Sequence, residues 1–362
     1  SEGHRELFFD IEVEVRDGFP EWKSAKNKIT AIALYDKTAD SYHCFVLGNV
    51  KNTDVVEAFR TEEELLQRFY QKYLEINPTI LSGWNIDGFD VPYLYNRTKR
   101  VMGEQIANCL SPINNVYYNE HQNKYKIAGV SQLDYLALYK LYTYTQQSSY
   151  RLDFIGKLEV NLGKIEYEGT LDDLYESNIN KYIEYNLNDV KIVKALDDKL
   201  KFIELARGVC HLGHISYEDI FFSSRYLEGA MLVYMKDIGV IAPNKPQGNY
   251  SSGEKFTGAY VKDPKPGRYD WVYDLDLTSM YPSTIMTLNI SPETKLGKLE
   301  GWNAEEFVKG VNKTYTLMVG DKEKGKYNQD ELKQMFDNNK VSVSSNGVLY
   351  RYDKKGLIVN NL

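Results

Sequence analysis

Apolar and polar residues recur with two different periods along this chain, and the changes of period mark out its elements. In Leu7-Phe8-Phe9-Asp10-Ile11-Glu12-Val13, two acids stand two residues apart among β-branched and aromatic neighbours, the pattern of a strand. Ile29 to Tyr35 and Tyr42 to Leu47 have the same character and predict further strands of one sheet. From Thr61 to Ile76 the period lengthens. Leu65, Leu66, Phe69 and Tyr73 form a helical stripe, and Thr61 with Glu64 makes a capping box. Asn77-Pro78 ends that helix, because a residue before proline is pushed out of the helical region, and Thr79 to Gly83 returns as a strand. Val116-Tyr117-Tyr118 and Tyr125-Lys126-Ile127 flank the polar stretch Asn119 to Asn123 and read as a hairpin; Leu133 to Leu141 resumes helical spacing. Ile183, Leu187, Val190, Val193 and Leu196 supply the buried face of a longer helix between Ile179 and Phe202. Such alternation indicates an α/β first domain.

From Pro243 to Gly253 the chain turns rich in Pro, Gly, Asn and Ser, which places a boundary nearby. Beyond it come an expected strand at Trp271-Val272-Tyr273 and a lysine-rich mixed region. The division expected is a first domain over residues 1–201, a helical connection over 202–245 and a second domain over 246–362.

Composition narrows the class. With 362 residues, 43% hydrophobic and 26% charged, the chain can bury two cores and is not disordered. No run approaches the ~20 apolar residues that cross a bilayer, and the start lacks a signal-peptide pattern, so a cytoplasmic protein with no membrane partner is expected. Cys44, Cys109 and Cys210 are scattered and read as reduced packing residues. Cys210, His211 and His214 could share a helix face, yet zinc normally needs a fourth ligand or a water, and no other His lies near in sequence. A net charge of −7 argues against a generic DNA-coating protein, but an enzyme holding cations in a carboxylate cluster can be acidic.

Three short patterns carry the candidate chemistry. Asp10 and Glu12 project from the same face of their strand and repel each other unless a cation sits between them; a solvated sheet face is the plain alternative. Gly83-Trp84-Asn85-Ile86-Asp87-Gly88-Phe89-Asp90 is a turn that delivers Asp90 to the start of a helix, where it could simply be an N-cap. Tyr185 and Asp189, four apart, share one helix face, as many helical pairs do.

Taken in order, Asp-x-Glu, Asn-x-x-x-Phe-Asp and Tyr-x-x-x-Asp resemble the three exonuclease motifs of proofreading polymerases. The chain is similar to family B DNA polymerases of the T-even-phage type. Asp17-Gly18-Phe19-Pro20, Leu133-Asp134-Tyr135, Ser149-Tyr150-Arg151-Leu152-Asp153, Gly258-Ala259-Tyr260 and Asn289-Ile290-Ser291-Pro292-Glu293-Thr294 extend the likeness over nearly its whole length. Asp274 to Ser283 resembles the first palm motif of that family, Asp-Leu-x-Ser-x-Tyr-Pro-Ser.

The resemblance implies a ribonuclease-H-like 3′→5′ exonuclease domain with a central mixed sheet, followed by a partial α+β palm. It implies a two-metal site for Mg²⁺ or Mn²⁺ held by Asp10, Glu12, Asp90 and Asp189, with Asp10 bridging and Tyr185 orienting the attacking water. Phe19, Asn85 and Phe89 become candidates for contacting the terminal nucleotides of single-stranded or frayed 3′-terminal DNA. Asp276 would be a palm metal ligand and Tyr281 would stack under an incoming sugar. The sequence holds no Lys-x-x-x-Asn-Ser-x-Tyr-Gly helix and no Asp-Thr-Asp-Ser turn, so polymerisation by this chain alone is not expected. Relatives carry further residues ahead of the first motif, which suggests a chain cut at both ends or a phage polymerase split across genes. A second chain carrying the rest of the polymerase, or a sliding clamp, is the expected protein partner. Two other readings stand beside the nuclease: a DNA- and partner-binding half of a split polymerase, and an RNA-trimming exonuclease with the same carboxylates.

Overall fold

Period-two alternation in strand β1 (Glu6–Val13) divides its side chains between two cores. Leu7, Phe9, Ile11 and Val13 enter one core, while Phe8 enters the other on the face that also carries Asp10 and Glu12. The fold, seen in a computed structural model, is described for residues 3–15, 18, 20–244 and 261–362. Phe19, Gly258-Ala259-Tyr260 and most of the expected boundary near Pro243 to Gly253 lie outside the described residues. The chain divides into two compact units, Ser1–Tyr226 and Leu227–Leu362.

In the first unit β1 is followed by β2 (Ile29–Asp36), β3 (Ser41–Leu47), β4 (Val56–Phe59), helix α1 (Glu62–Ile76), β5 (Ile80–Gly83) and helices α2 (Asp90–Met102) and α3 (Glu104–Ala107). Then come a hairpin of β6 (Val116–Asn119) and β7 (Lys124–Ile127), β8 (Ser131–Asp134), and helices α4 (Tyr135–Tyr142), α5 (Leu152–Val160), α6 (Leu171–Ser177), α7 (Ile179–Leu200) and α8 (Phe202–Gly213). Six strands form one mixed sheet in the order β4-β3-β2-β1-β5-β8. β1 runs antiparallel to β2 and parallel to β5, so it lies inside the sheet with a partner on each edge. Helices α1 and α2 bury Leu65, Phe69, Tyr73, Val91 and Leu94 in the core on one side, and α7 buries Tyr182, Val190, Val193 and Leu196 in the core on the other.

Local chemistry fixes the ends of these helices. Thr61 and Glu64 exchange hydrogen bonds with each other's backbone N–H to start α1, and Asn77 in the left-handed conformation ends it. Asn178 Oδ1 accepts from the backbone of Lys181 at 3.0 Å to start α7. The helix expected from Leu133 begins two residues later: Leu133 and Asp134 pair with β5 as part of β8, because a buried parallel strand is apolar throughout and mimics helical content over so short a run. Ile203, Ala206 and Cys210 of α8 pack into the first unit's core.

The second unit holds most of α9 (Ser223–Asp237), then α10 (Met280–Leu288), β9 (Lys295–Glu300), α11 (Ala304–Val308), β10 (Thr314–Val319), β11 (Lys322–Asn328), α12 (Gln329–Asp337), β12 (Val341–Val343), β13 (Val348–Arg351) and α13 (Leu357–Asn360). Its five strands run antiparallel in the order β11-β10-β9-β13-β12 around Leu299, Tyr315, Leu332 and Leu349. The strand expected at Trp271-Val272-Tyr273 is absent: those residues are exposed, and no described strand offers them a ladder. A run of strand-forming residues becomes a strand only where neighbouring backbone accepts its hydrogen bonds.

Candidate active site

Asp10 and Glu12 lie at the bottom of a cleft, largely covered, and not on an open sheet face. Their neighbours on β2 are Ala33 and Ala31, and these small side chains leave room for α7 to cross the sheet directly above the two acids. α7 brings Asp189 to them: carboxylate oxygens of Asp10, Glu12 and Asp189 lie within 4.8 Å of one another. Asp189 is buried, and its Oδ1 has no hydrogen-bond partner among the described residues. The solvated-face alternative for Asp10 and Glu12 therefore fails.

Asp90 is the first residue of α2 and does not cap it. Its Oδ1 accepts a hydrogen bond from the backbone N–H of Ile11, between the two acids of β1, at 3.0 Å. The turn before it is shaped by Asp134, whose carboxylate accepts from the backbone N–H groups of Asn85 at 3.0 Å, Asp87 at 3.1 Å and Leu136 at 2.9 Å. Asn85 is left-handed, with φ of 65°, and its side chain lies over Gly88, where a Cβ would come 2.6 Å from Asn85 Oδ1 and oblige that side chain to move.

Concentrating four carboxylates in a desolvated place disfavours their charges. Burial, then Asp189, Asp90 and Glu12, push Asp10 well above the usual carboxylate range. Burial and Asp189 raise Glu12 to about 8, and burial raises Asp90 to about 8 against the bond from Ile11. Asp189 is also raised by burial, with Lys164 opposing.

Lys164 is the half-buried counter-charge. Its ammonium donates to Asp189 Oδ2 and, at 2.8 Å, to the Tyr185 hydroxyl oxygen, and it lies over the Tyr185 ring. Burial works against its charge, but Asp189, Tyr185 and Asp10 outweigh it. Tyr185 remains a phenol because burial raises its pKa more than Lys164 lowers it. Asn186 Nδ2 donates to Asp10 Oδ2 at 2.8 Å, fixing one edge of that carboxylate. Neither Lys164 nor Asn186 carries a legible signal in sequence, since Lys164 reaches Asp189 from a loop 25 residues earlier.

These groups open into a cleft of about 1090 Å³, whose walls include Asn85 and Phe89. Asn85 is exposed, and Phe89 packs on Tyr93 with ring centroids 5.3 Å apart. The donor set suits hard divalent cations, being all oxygen, clustered, partly unpartnered and held with too few positive charges. Among the described residues this is the sole cluster of at least three potential metal ligands, and Cys210, His211 and His214 do not form another. In the second unit, Asp276 is exposed in irregular chain and Tyr281 is exposed on α10.

Residues 4–155 match the exonuclease domain of DNA polymerase family B, and residues 223–337 match the DNA polymerase family B model itself. The chain belongs to family B of the DNA polymerases. It is 35% identical to the DNA-directed DNA polymerase of Escherichia phage RB69 over 84% of its length, and 32% identical to that of Enterobacteria phage T4 over 83%. A DNA polymerase of Thermococcus litoralis is 28% identical over 80% of the chain. The chain spans 37% of the length of each of the two phage polymerases. The α/β first unit, with its central mixed sheet, is the ribonuclease-H-like architecture that this family's exonuclease domain carries. No described helix is long and apolar enough to cross a membrane.

Proposed function

We propose that this chain is the proofreading portion of a family B polymerase, a metal-dependent 3′→5′ DNA exonuclease that releases nucleoside monophosphates from unpaired 3′ ends. The observation that carries this reading is the meeting of Asp10 and Glu12 from β1 with Asp189 from α7 in an open cleft. Asp10, Glu12 and Asp189 would hold Mg²⁺ or Mn²⁺, with Asp10 shared and Asp90 supporting a second ion. When bound, such ions lower the pKa of an attacking water and offset charge on the scissile phosphate.

The chain's own side chains do the positioning. Lys164 donates to the Tyr185 oxygen, which leaves the phenolic proton free to point at the nucleophilic water or a phosphate oxygen. Asn186 holds one oxygen of Asp10 and leaves the other for the cation. Asn85 and Phe89 line the approach of the last nucleotides, and we assign Phe19 a stacking role from the sequence alone. A 3′ end must be unpaired to enter, so frayed mismatches are favoured substrates. We place this activity in the host cytoplasm during phage replication.

Polymerisation is assigned to elements beyond those described. One aspartate, Asp276, cannot hold two metals. A second reading, a DNA-binding half that works with a further chain or a clamp, draws on the exposed apolar run of Trp271, Val272, Tyr273, Leu275 and Leu277, which suits completion by other palm strands. Incubation of the purified chain with Mg²⁺ or Mn²⁺ and 5′-labelled single-stranded DNA, beside an Asp10→Ala, Glu12→Ala variant, separates the two. A ladder of 3′-shortened products from the unaltered chain alone supports the nuclease. No ladder with either metal supports the partner-dependent half, and parallel RNA substrates test the trimming alternative.

A further inference from the structure

Alternation in β7 seats the β6–β7 hairpin on two anchors. Tyr125, paired with Tyr118 across the hairpin, faces an aromatic group: Tyr95 at 4.8 Å and Trp22 at 6.1 Å between ring centroids. Lys124 and Lys126 face the opposite way, where each meets a shielded carboxylate. Lys124 Nζ donates to Asp87 Oδ2 at 2.6 Å over the Phe221 ring, and Lys126 donates to Glu218.

Asp87 belongs to the turn that carries Asn85 and Asp90. Its other oxygen accepts from Gln132 Nε2 at 3.1 Å, while Gln132 Oε1 accepts from the backbone of Ile127 in β7. The hairpin is thereby bonded to the turn at two points through one carboxylate, and its tip, Asn119 to Asn123, stands free of both anchors. Asp90 has a separate anchor in Ile11 on another strand, whereas Asn85 is held from within the turn, its N–H donating to Asp134 and its carbonyl accepting from Gly88 and Phe89. Loosening Asp87 therefore falls on Asn85 before it reaches the carboxylate cluster.

We propose that Lys124, acting through Asp87, is a positioning residue that couples the β6–β7 hairpin to the presentation of Asn85 to the 3′-terminal nucleotide. The inference rests on the nuclease reading above for its substrate. Displacing the hairpin, as DNA at its tip would do, shifts substrate binding and leaves the chemistry of the carboxylates in place.

Lys124→Met keeps the aliphatic stem against Phe221 and removes the charge; Asp87→Asn keeps an acceptor for Gln132. With a single-stranded oligonucleotide, each variant is expected to raise KM about 5–10-fold with kcat within about twofold, since a misplaced binding group weakens substrate orientation. Lys124→Arg should restore KM, and the double variant should be no worse than either single one, because both cut the same link. Unchanged KM in folded variants, or a loss confined to kcat, overturns the proposal. Anisotropy binding of the same oligonucleotide in an Asp10→Asn background gives a readout without cleavage, and the dissociation constant should rise by the same factor. If the unaltered chain binds but does not cleave, the nuclease reading falls and this binding comparison decides the positioning role. If it neither binds nor cleaves, both fall.

Discussion

Asp90→Asn should make the metal-free protein more stable. Asp90 is buried with its carboxyl pushed from 3.8 to about 8, and the replacement keeps an oxygen that can accept from Ile11 while removing the charge. Each unit of displacement corresponds to about 1.4 kcal/mol, so the shift sets an upper bound of about 6 kcal/mol above pH 8. Repulsion shared with Asp10 and Asp189, and water entering from the cleft, reduce the expected gain to about 1–3 kcal/mol. The sign follows from proton binding. Between pH 4 and 8 the folded wild type keeps a proton on Asp90 that the unfolded chain has released, so its stability falls as pH rises through that window. The variant lacks this dependence, and the gap between the two should widen from pH 5 to pH 8. Urea unfolding in EDTA, followed by amide exchange in β1 and α7, measures it at both pH values; added Mn²⁺ should stabilise wild type more than the variant. A variant equal to or weaker than wild type at pH 8 without metal, or a gap independent of pH, would refute the account of a cluster strained by its own charge.

Lys164→Met removes the half-buried cation beside the buried Asp189 and should lower metal-free stability by about 1–3 kcal/mol once solvent screening of the ammonium is allowed for, as calorimetry or denaturant unfolding would show, with Mn²⁺ recovering a larger share than in wild type. Tyr185→Phe keeps the edge contact with Tyr167, 5.4 Å between centroids, and loses the hydroxyl; on single-stranded DNA kcat is expected to fall about 10–100-fold with KM nearly unchanged, a split that steady-state kinetics resolves. Arg97→Met should cost about 3–5 kcal/mol in thermal or urea unfolding, because it strands the buried Glu62 that Arg97 grips at 2.8 and 2.6 Å and frees the carbonyls of Ala25 and Lys26.

Much of this protein was written locally. The strand character of residues 7–13, the capping box at Thr61 and Glu64, the stop at Asn77-Pro78 and the apolar face of α7 depend on neighbours within a few positions, and those interactions form wherever the segment finds itself. The family's motifs also fixed which carboxylates to look for. What one sequence position could not reveal was the company each acid keeps. Asp10 and Glu12 could have faced water until α7 crossed over Ala31 and Ala33, and Asp90 could have been a cap until its carboxylate reached Ile11 in another strand. Lys164, Asn186 and the Lys124–Asp87 link were invisible for the same reason: each joins residues distant in sequence, and only the folded chain brings them within hydrogen-bond range. Trp271 to Tyr273 shows the converse. Strand-forming residues lacked a ladder among the described strands, so composition alone made no strand. Period and capping are set by the chain's own near neighbours, whereas charge pairing, burial and strand closure belong to whichever segments tertiary packing brings alongside.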